Sequence, residues 1–275
     1  MARIPNGWEL ENRSLFNDIV PDYDAIRPEY PPPLFAGVLQ YMGLAGGKKA
    51  LEIGPGTGKA TAHFLAAGLD VTAVEIGPNM VDFLQRRFHG NKNFRTICAA
   101  FEDVSLEAES YDLIYAASAF HWVDAAIGCP KLYRLLKPGG TAALFRYHEI
   151  PAIGEALYEE VQVEYENHYY SHYTASRRPA RKSHEDLKSP TEIFLGFGFA
   201  DLAHFGFRDV STECYDAERT YTTDERMIFL NTLSDHRALP ENNREALFRG
   251  IKRAILRHGG TYKVKFTFQL CLGKK

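Results

Sequence analysis

The sequence predicts an α/β protein: a doubly wound, mostly parallel, seven-stranded sheet with a helical cap inserted after the fifth strand. Three observations carry this expectation. Short apolar runs alternate with helical patterns from Lys49 to Arg146. The runs are apolar on both faces, as in a parallel sheet that helices cover on both sides. The strand rhythm then stops at Tyr147 and resumes near Phe207.

Each element has its own signal. Leu34, Phe35, Val38, Leu39 and Met42 recur at helical spacing and predict a helix ahead of the first strand. "KALEIG" from Lys49 is the first strand, and Gly54, Gly56 and Gly58 follow as a turn into a helix that Gly68 stops. "DVTAVEI" (Asp70 to Ile76), "FRTIC" and "YDLIYAA" (Tyr111 to Ala117) are the next strands, with Gly90 as a second stop. Asp124 is placed to cap the following helix. "LLKPGG" (Leu135 to Gly140) closes that helix, and "TAALFR" (Thr141 to Arg146) is the fifth strand. Beyond it, "ALYEEVQVEYENHYYSHY" reads as a helix dense in tyrosine and glutamate. A strand "FRDVSTEC" (Phe207 to Cys214) follows, then a helix "TTDERMIFLNTLSDH" started by Thr223 or Asp224. A further helix buries Leu247, Ile251 and Ile255 and stops at Gly259, and "YKVKFTFQLCLG" alternates to complete the sheet. The division expected is a Rossmann-like core in residues 1–146 and 206–275, with an inserted cap at 147–205.

Composition narrows the functional classes. A formal charge of -3 over 275 residues provides no global positive field for nucleic acid or an anionic membrane. Cys98, Cys129, Cys214 and Cys271 lie far apart with no CxxC pair, which fits scattered thiols in a reducing compartment better than a disulfide framework or a metal site. No run of about 18 apolar residues spans a bilayer, and no basic-then-apolar leader opens the chain. The expectation is a cytoplasmic protein with a small-molecule partner, no metal, no nucleic acid and no membrane; the oligomeric state is not legible.

The glycine loop carries the chemistry. Ligands of such sheets bind beyond the carboxyl ends of the strands, where strand order reverses, and glycines there allow positive φ and close backbone approach. Glu75 ends the second strand, where a carboxylate can accept hydrogen bonds from ribose hydroxyls. The spacing is G-x-G-x-G, and Lys59 stands where the dinucleotide fingerprint has its last glycine. Glu52, two residues before Gly54, repels a pyrophosphate but attracts an ammonium group. A ligand with a ribose and a cationic amino-acid end fits this loop better than a nicotinamide dinucleotide.

In order and spacing, "LEIGPGTGKAT", "VEIGPNM", "CAAFEDV", "ASAFHWVD" and "LLKPGG" resemble the successive motifs of class I S-adenosylmethionine-dependent methyltransferases. "YDAIRPEYPPPLF", "AFHWVD", "YTTDERMIFLNTLSDHRALP" and "RHGG" are similar to the small-molecule branch that includes trans-aconitate methyltransferases. The resemblance implies S-adenosyl-L-methionine as cofactor, with Glu52, Gly54, Gly56 and Gly58 around its methionine part, Glu75 on the ribose and Ile76 against the adenine. It implies Phe101 and Glu102 at the adenine rim, where many relatives carry an aspartate, and Ala117 and Ser118 beside the transferred methyl. Tyr23, Arg27 and Tyr30 fall in the segment that relatives fold over the cofactor. Arg27 suits either a pairing with the methionine carboxylate or a surface anchor.

The acceptor side is read from fewer signals. An unperturbed imidazole titrates near working pH, so His121 suits either a general base or a hydrogen bond to a loop. Phe120 and Trp122 suit a pocket wall or the core. Arg146, Tyr169 and Thr232 complete the candidate pocket, with Arg146, Arg177 and Arg178 available to hold an acid. The reaction expected is in-line methyl transfer to a small carboxylate or hydroxyl oxygen. A nicotinamide-dependent oxidoreductase and a non-catalytic S-adenosylmethionine-binding regulator are the alternatives.

Overall fold

The structure, a computed structural model, describes residues 9–43, 47–189, 193–194 and 197–275. The strands in chain order are β1 (Lys49–Ile53), β2 (Asp70–Glu75), β3 (Phe94–Cys98), β4 (Tyr111–Ala117), β5 (Leu136–Ile150), β6 (Ile193–Phe194), β7 (Phe197–Gly198), β8 (Arg208–Thr222) and β9 (Thr261–Lys274). Seven of them form one sheet in the order β3-β2-β1-β4-β5-β9-β8, while β6 and β7 make a small antiparallel ladder. From β3 through β5 every pairing is parallel. The helices are α1 (Val20–Ile26), α2 (Pro32–Met42), α3 (Lys59–Ala66), α4 (Pro78–Arg87), α5 (Ala125–Leu135), α6 (Ala156–Tyr165), α7 (His184–Lys188), α8 (Phe199–His204), α9 (Thr223–Asn231), α10 (Ser234–Arg237) and α11 (Glu241–Arg257). The doubly wound, mostly parallel seven-stranded sheet is therefore present.

Local differences from the sequence reading have local causes. β5 begins at Leu136 rather than Thr141, because a register shift against β4 between Tyr111 and Leu113 absorbs the Lys-Pro-Gly-Gly segment inside the strand. The cap of α9 is Thr222, not Thr223 or Asp224. Its hydroxyl accepts from the Glu225 N–H while the Glu225 carboxylate accepts from the Thr222 N–H, a reciprocal capping box. Thr223 instead donates its hydroxyl to the Gly260 carbonyl. The helix expected to run on to His236 breaks after Asn231 and restarts as α10. Asp124 caps α5 through the Ala126 N–H, as its position suggested.

The chain groups into two compact units. The sheet unit comprises Glu29–His148, Ser183–Asp216 and Thr267–Lys275. Its core joins β1, β2, β4 and β5 to α5 through Leu51, Val74, Ile114, Leu132 and Leu144, and it includes Leu202 of α8 and Phe207. The helical unit comprises the described part of Met1–Pro28 with Glu149–Lys182 and Ala217–Phe266. In it α6 and the π-helical turn after it, Glu166–Tyr170, pack on α11. These groupings cut the chain differently from a single cap at 147–205. Glu149–Lys182 buries Tyr158 and Val161 on α6, whereas Leu187, Leu202 and Phe207 are buried in the segment that groups with the sheet. Residues 190–192 and 195–196 of that expected cap lie outside the described residues.

Candidate active site

Strand order reverses between β1 and β4, so the loops leaving these two strands flank the crevice of the sheet unit. After β1, Gly54, Gly56 and Gly58 have φ of 62°, 58° and 85°, a region that a side chain disfavours. Their absence of side chains also sets the approach of neighbours. A Cβ on Gly54 would lie 2.6 Å from the Ala119 Cβ in the loop after β4. On Gly58 it would meet the Phe88 ring at 2.7 Å and Leu84 at 2.8 Å.

Two buried carboxylates stand behind this loop. Glu75 is at the end of β2, where one oxygen accepts from the Gly56 N–H at 3.1 Å and the other from the Gly77 N–H at 2.9 Å. Burial pushes its pKa up, against the backbone N–H groups of Gly77, Gly56 and Ile76. Each carboxylate oxygen has a second lone pair, so Glu75 can shape the loop and still accept from a ligand. Glu52 on β1 is 0% exposed. Its Oε2 accepts from the Thr61 hydroxyl of α3 and, at 2.9 Å, from the Tyr115 hydroxyl of β4. Its Oε1 is buried with no hydrogen-bond partner among the described residues. Burial pushes the Glu52 pKa up to about 7, against the hydroxyls of Thr61 and Tyr115, with Glu75 adding repulsion.

The β4 side of the crevice is strained. Ser118 has φ 52°, a sparsely populated conformation for a residue with a Cβ that surrounding contacts must hold. Its N–H donates to the Phe145 carbonyl at 2.7 Å, and its hydroxyl accepts from the buried Tyr30 at 2.9 Å. Ser118 lines a cavity with Ala119, Phe120, His121, Phe145 and Arg146. Among the described residues lining that cavity none is a carboxylate. The Arg146 Nε donates to the Gln269 Oε1 of β9 at 2.6 Å.

The sequence-predicted residues thus fall into two groups. In the sheet unit are Tyr30, Glu52, Gly54, Gly56, Gly58, Glu75, Ile76, Phe101, Glu102, Ala117, Ser118, Phe120, His121, Trp122 and Arg146. Phe101 is a core residue, packed with Ile53, Val74 and Phe120. Ile76, Glu102, Ala117 and Trp122 are half-buried, and the Trp122 ring lies 5.3 Å from that of His121. Tyr23, Arg27, Tyr169 and Thr232 are in the helical unit. There the Arg27 guanidinium donates to the Thr232 carbonyl and lies over the Tyr23 and Phe229 rings, which ties α1 to α9. The Thr232 hydroxyl donates to the Phe229 carbonyl at 2.6 Å, and Tyr169 donates to Asp235 at 2.6 Å. These bonds anchor both side chains within the helical unit.

Several site residues escaped the sequence. Thr61 and Tyr115 hold Glu52 but stand inside ordinary helix and strand patterns. Gln269 has a signal in hindsight: a polar side chain at 0% exposure within the long buried stretch of β9. In the helical unit Asp235, which no local pattern singles out, links His236 and Tyr169, and His236 meets the Tyr165 hydroxyl at 2.9 Å.

Comparison with known proteins places this geometry. Residues 51–144, which carry the loop, both carboxylates and the strained serine, match the model of a methyltransferase domain. An uncharacterized methyltransferase of Mycobacterium tuberculosis is 35% identical over 129 residues, 47% of this chain and 50% of its own length. The match therefore spans about half of that relative. An uncharacterized methyltransferase-like protein of Schizosaccharomyces pombe is 29% identical over 261 residues, 92% of each chain. Among solved structures, phosphoethanolamine N-methyltransferase 2 of Haemonchus contortus, in complex with S-adenosyl-L-methionine, has a TM-score of 0.54 at 18% identity, covering 94% of this chain and 57% of its own. At that identity the likeness is one of fold.

Proposed function

We propose that this chain, whose residues 51–144 match the model of a methyltransferase domain, transfers a methyl group from S-adenosylmethionine to a small-molecule oxygen acceptor, a carboxylate or a hydroxyl. The observation that carries the cofactor seat is the Glu52 Oε1, buried and without a hydrogen-bond partner behind a glycine loop already tied to Glu75. A bare carboxylate oxygen at that depth costs on the order of 1–3 kcal/mol, and a cationic amino-acid end supplies what it lacks. Glu75 offers its spare lone pairs to ribose hydroxyls, and the bare backbone at Gly56, which Glu75 holds by its N–H, lets a ligand come close.

When bound, S-adenosylmethionine supplies a methyl on a sulfonium sulfur that departs as a neutral thioether while an acceptor lone pair forms the new bond. The chain's own part is positioning. Holding an acceptor oxygen about 3–3.5 Å from the reacting carbon replaces a bimolecular encounter and can supply much of the acceleration. Ser118 and Ala119 fix the wall beside the glycine loop, Phe120 and Phe145 exclude water, and Arg146 faces the cavity as a cation. A carboxylate arrives ionised and needs no base, so His121 orients; for a hydroxyl, His121 would take the proton.

The small-molecule branch that includes trans-aconitate methyltransferases supports the carboxylate form of this reading, in the cytoplasm and with no nucleic-acid substrate. A screen of small carboxylic acids, phenols and amines with methyl-labelled cofactor tests it. Label in a carboxylic acid or an alcohol is expected. Label only in amines, or in none of the panel while a nucleic acid is labelled, would overturn it.

A further inference from the structure

Glu52 keeps one oxygen bare because two neighbours share the other. Tyr115 stands opposite Glu52 in the parallel pairing of β1 with β4, so the two side chains leave the same face of the sheet. Both residues are buried, as is Thr61 of α3. The Tyr115 ring is flanked by Phe64 of α3 and Phe145 of β5, with centroids 4.3 and 6.4 Å away, which fixes where its oxygen lies. That hydroxyl donates to the Glu52 Oε2 at 2.9 Å, and the Thr61 hydroxyl donates to the same oxygen. Burial, with the Glu52 charge beside it, pushes the Tyr115 pKa well above its ordinary value, so the phenol stays a donor at every working pH. A proton that joins this carboxylate therefore goes to Oε1, the oxygen with no hydrogen-bond partner among the described residues. A ligand ammonium seeks the same atom. The groups acting on Glu52 from its neighbours are Thr61 of α3, Tyr115 of β4 and Glu75 of β2; burial raises its pKa to about 7, the two hydroxyls oppose this, and Glu75 adds repulsion.

We propose that Tyr115 is a positioning residue for the cofactor: by occupying Oε2 together with Thr61 it reserves the Glu52 Oε1 for the cofactor's ammonium and couples cofactor seating to release of a proton from Glu52. The inference rests on the cofactor seat of the reading above and deepens it. In the coupled step the Glu52 O–H bond breaks, the proton passes to solvent, and the carboxylate left behind accepts from the ammonium, which keeps its own protons. Proton and ammonium compete for one atom, and the Tyr115 hydroxyl biases that competition towards the ammonium by favouring the charged carboxylate.

The test is calorimetric titration of S-adenosylhomocysteine, which carries the same amino-acid end, into the full chain between pH 6 and 9. Paired buffers of different ionisation enthalpy count the protons released. The wild type is expected to release about half a proton per ligand at pH 7 and about a tenth at pH 8. Tyr115→Phe keeps the ring and removes one donor to the carboxylate, so its release at pH 8 should be about twice that of the wild type or more. Its affinity should fall most at pH 6.5 and least at pH 9; the ligand's own titration is common to both proteins. Thr61→Val, which removes the other donor, should shift the profile the same way and decides the matter if Tyr115→Phe does not fold. A residue that only packs gives an equal affinity loss at every pH with an unchanged proton count, and that outcome overturns the proposal. So does a wild type that binds S-adenosylhomocysteine without releasing a proton, or a release that persists in Glu52→Gln. Failure of the wild type to bind S-adenosylhomocysteine at all strikes the cofactor reading instead.

Discussion

Asp235 in the helical unit and Glu52 in the sheet unit are both buried carboxylates, at 6% and 0% exposure, yet their surroundings drive them in opposite directions. Burial pushes the Asp235 carboxyl up, but His236 at 3.0 Å and the Tyr169 hydroxyl at 2.6 Å outweigh it and hold the pKa below the usual range. Glu52 receives both of its hydroxyl donors on one oxygen, keeps the other bare, and is pushed up to about 7. Burial is common to the two, so partnering decides the outcome. A carboxylate with both oxygens engaged is a structural tie, and one with an oxygen left over has capacity for a ligand.

Removing each group should break the likeness first. Asp235→Ala leaves His236 and Tyr169 without their acceptor and is expected to cost about 3–5 kcal/mol of stability, measured by urea denaturation near neutral pH. Glu52→Gln should do the opposite. It removes a charge that burial disfavours, so the ligand-free protein should be as stable as the wild type or more so at pH 8, while affinity for S-adenosylmethionine falls at least tenfold. Strong destabilisation by Glu52→Gln with cofactor affinity intact would place Glu52 in the same class as Asp235.

The same contrast has a pH signature of somewhat smaller size. For Glu52 the folded pKa lies above the unfolded one. Its contribution to stability is therefore complete below pH about 4.5 and is lost as pH rises through about 7; the difference amounts to about 3 kcal/mol. For Asp235 the folded pKa is depressed, so its contribution is present above the unfolded pKa, near 4, and is lost as pH falls through the folded value. Wild-type stability should consequently decline from pH 5 to 7.5, and Glu52→Gln should flatten that limb without altering the acid one. An unchanged slope in Glu52→Gln would assign the limb to another group.

Two further variants sharpen the account of the sheet unit. Glu75→Ala removes the acceptor of the Gly56 N–H as well as any ribose contact, and should weaken S-adenosylhomocysteine binding by roughly 1.5–3 kcal/mol; calorimetry reads this directly. His121→Ala has the smallest expected effect. With a carboxylate acceptor its turnover should fall less than tenfold, with no acid limb in the wild-type rate profile attributable to an imidazole. A loss of about 10²–10⁴ would restore His121 as a base and point to a hydroxyl.

How much of this was legible beforehand follows the same line between local and distant partners. The glycine loop, Glu52, Glu75 and Ser118 lie within the contiguous stretch of strand, turn and helix matched by the domain model, so spacing reaches the loop and the two carboxylates, and the resemblance of the successive motifs reaches Ser118. Thr222 was missed as a cap by one residue because Thr223 and Asp224 are equally good capping types, and only the reciprocal bond to Glu225 separates them. Phe101 follows a sequence motif, but its burial depends on α5 and β2 residues far away in sequence. Gln269 meets Arg146 across 123 residues, and Tyr169 meets Asp235 across 66; no local pattern encodes such pairs. Spacing does not distinguish a hydroxyl that ties helices together, as at Tyr169 and Thr232, from one that lines a pocket.

The central claim is that the loop from Gly54 to Gly58, with Glu52 and Glu75 behind it, seats S-adenosylmethionine. Isothermal titration of S-adenosylhomocysteine into the wild-type chain and into Gly56→Val tests it most directly. The account predicts one site per chain with micromolar-scale affinity in the wild type, and no detectable binding in a folded Gly56→Val. Absence of binding by the wild type, or normal binding by the valine variant, would contradict it.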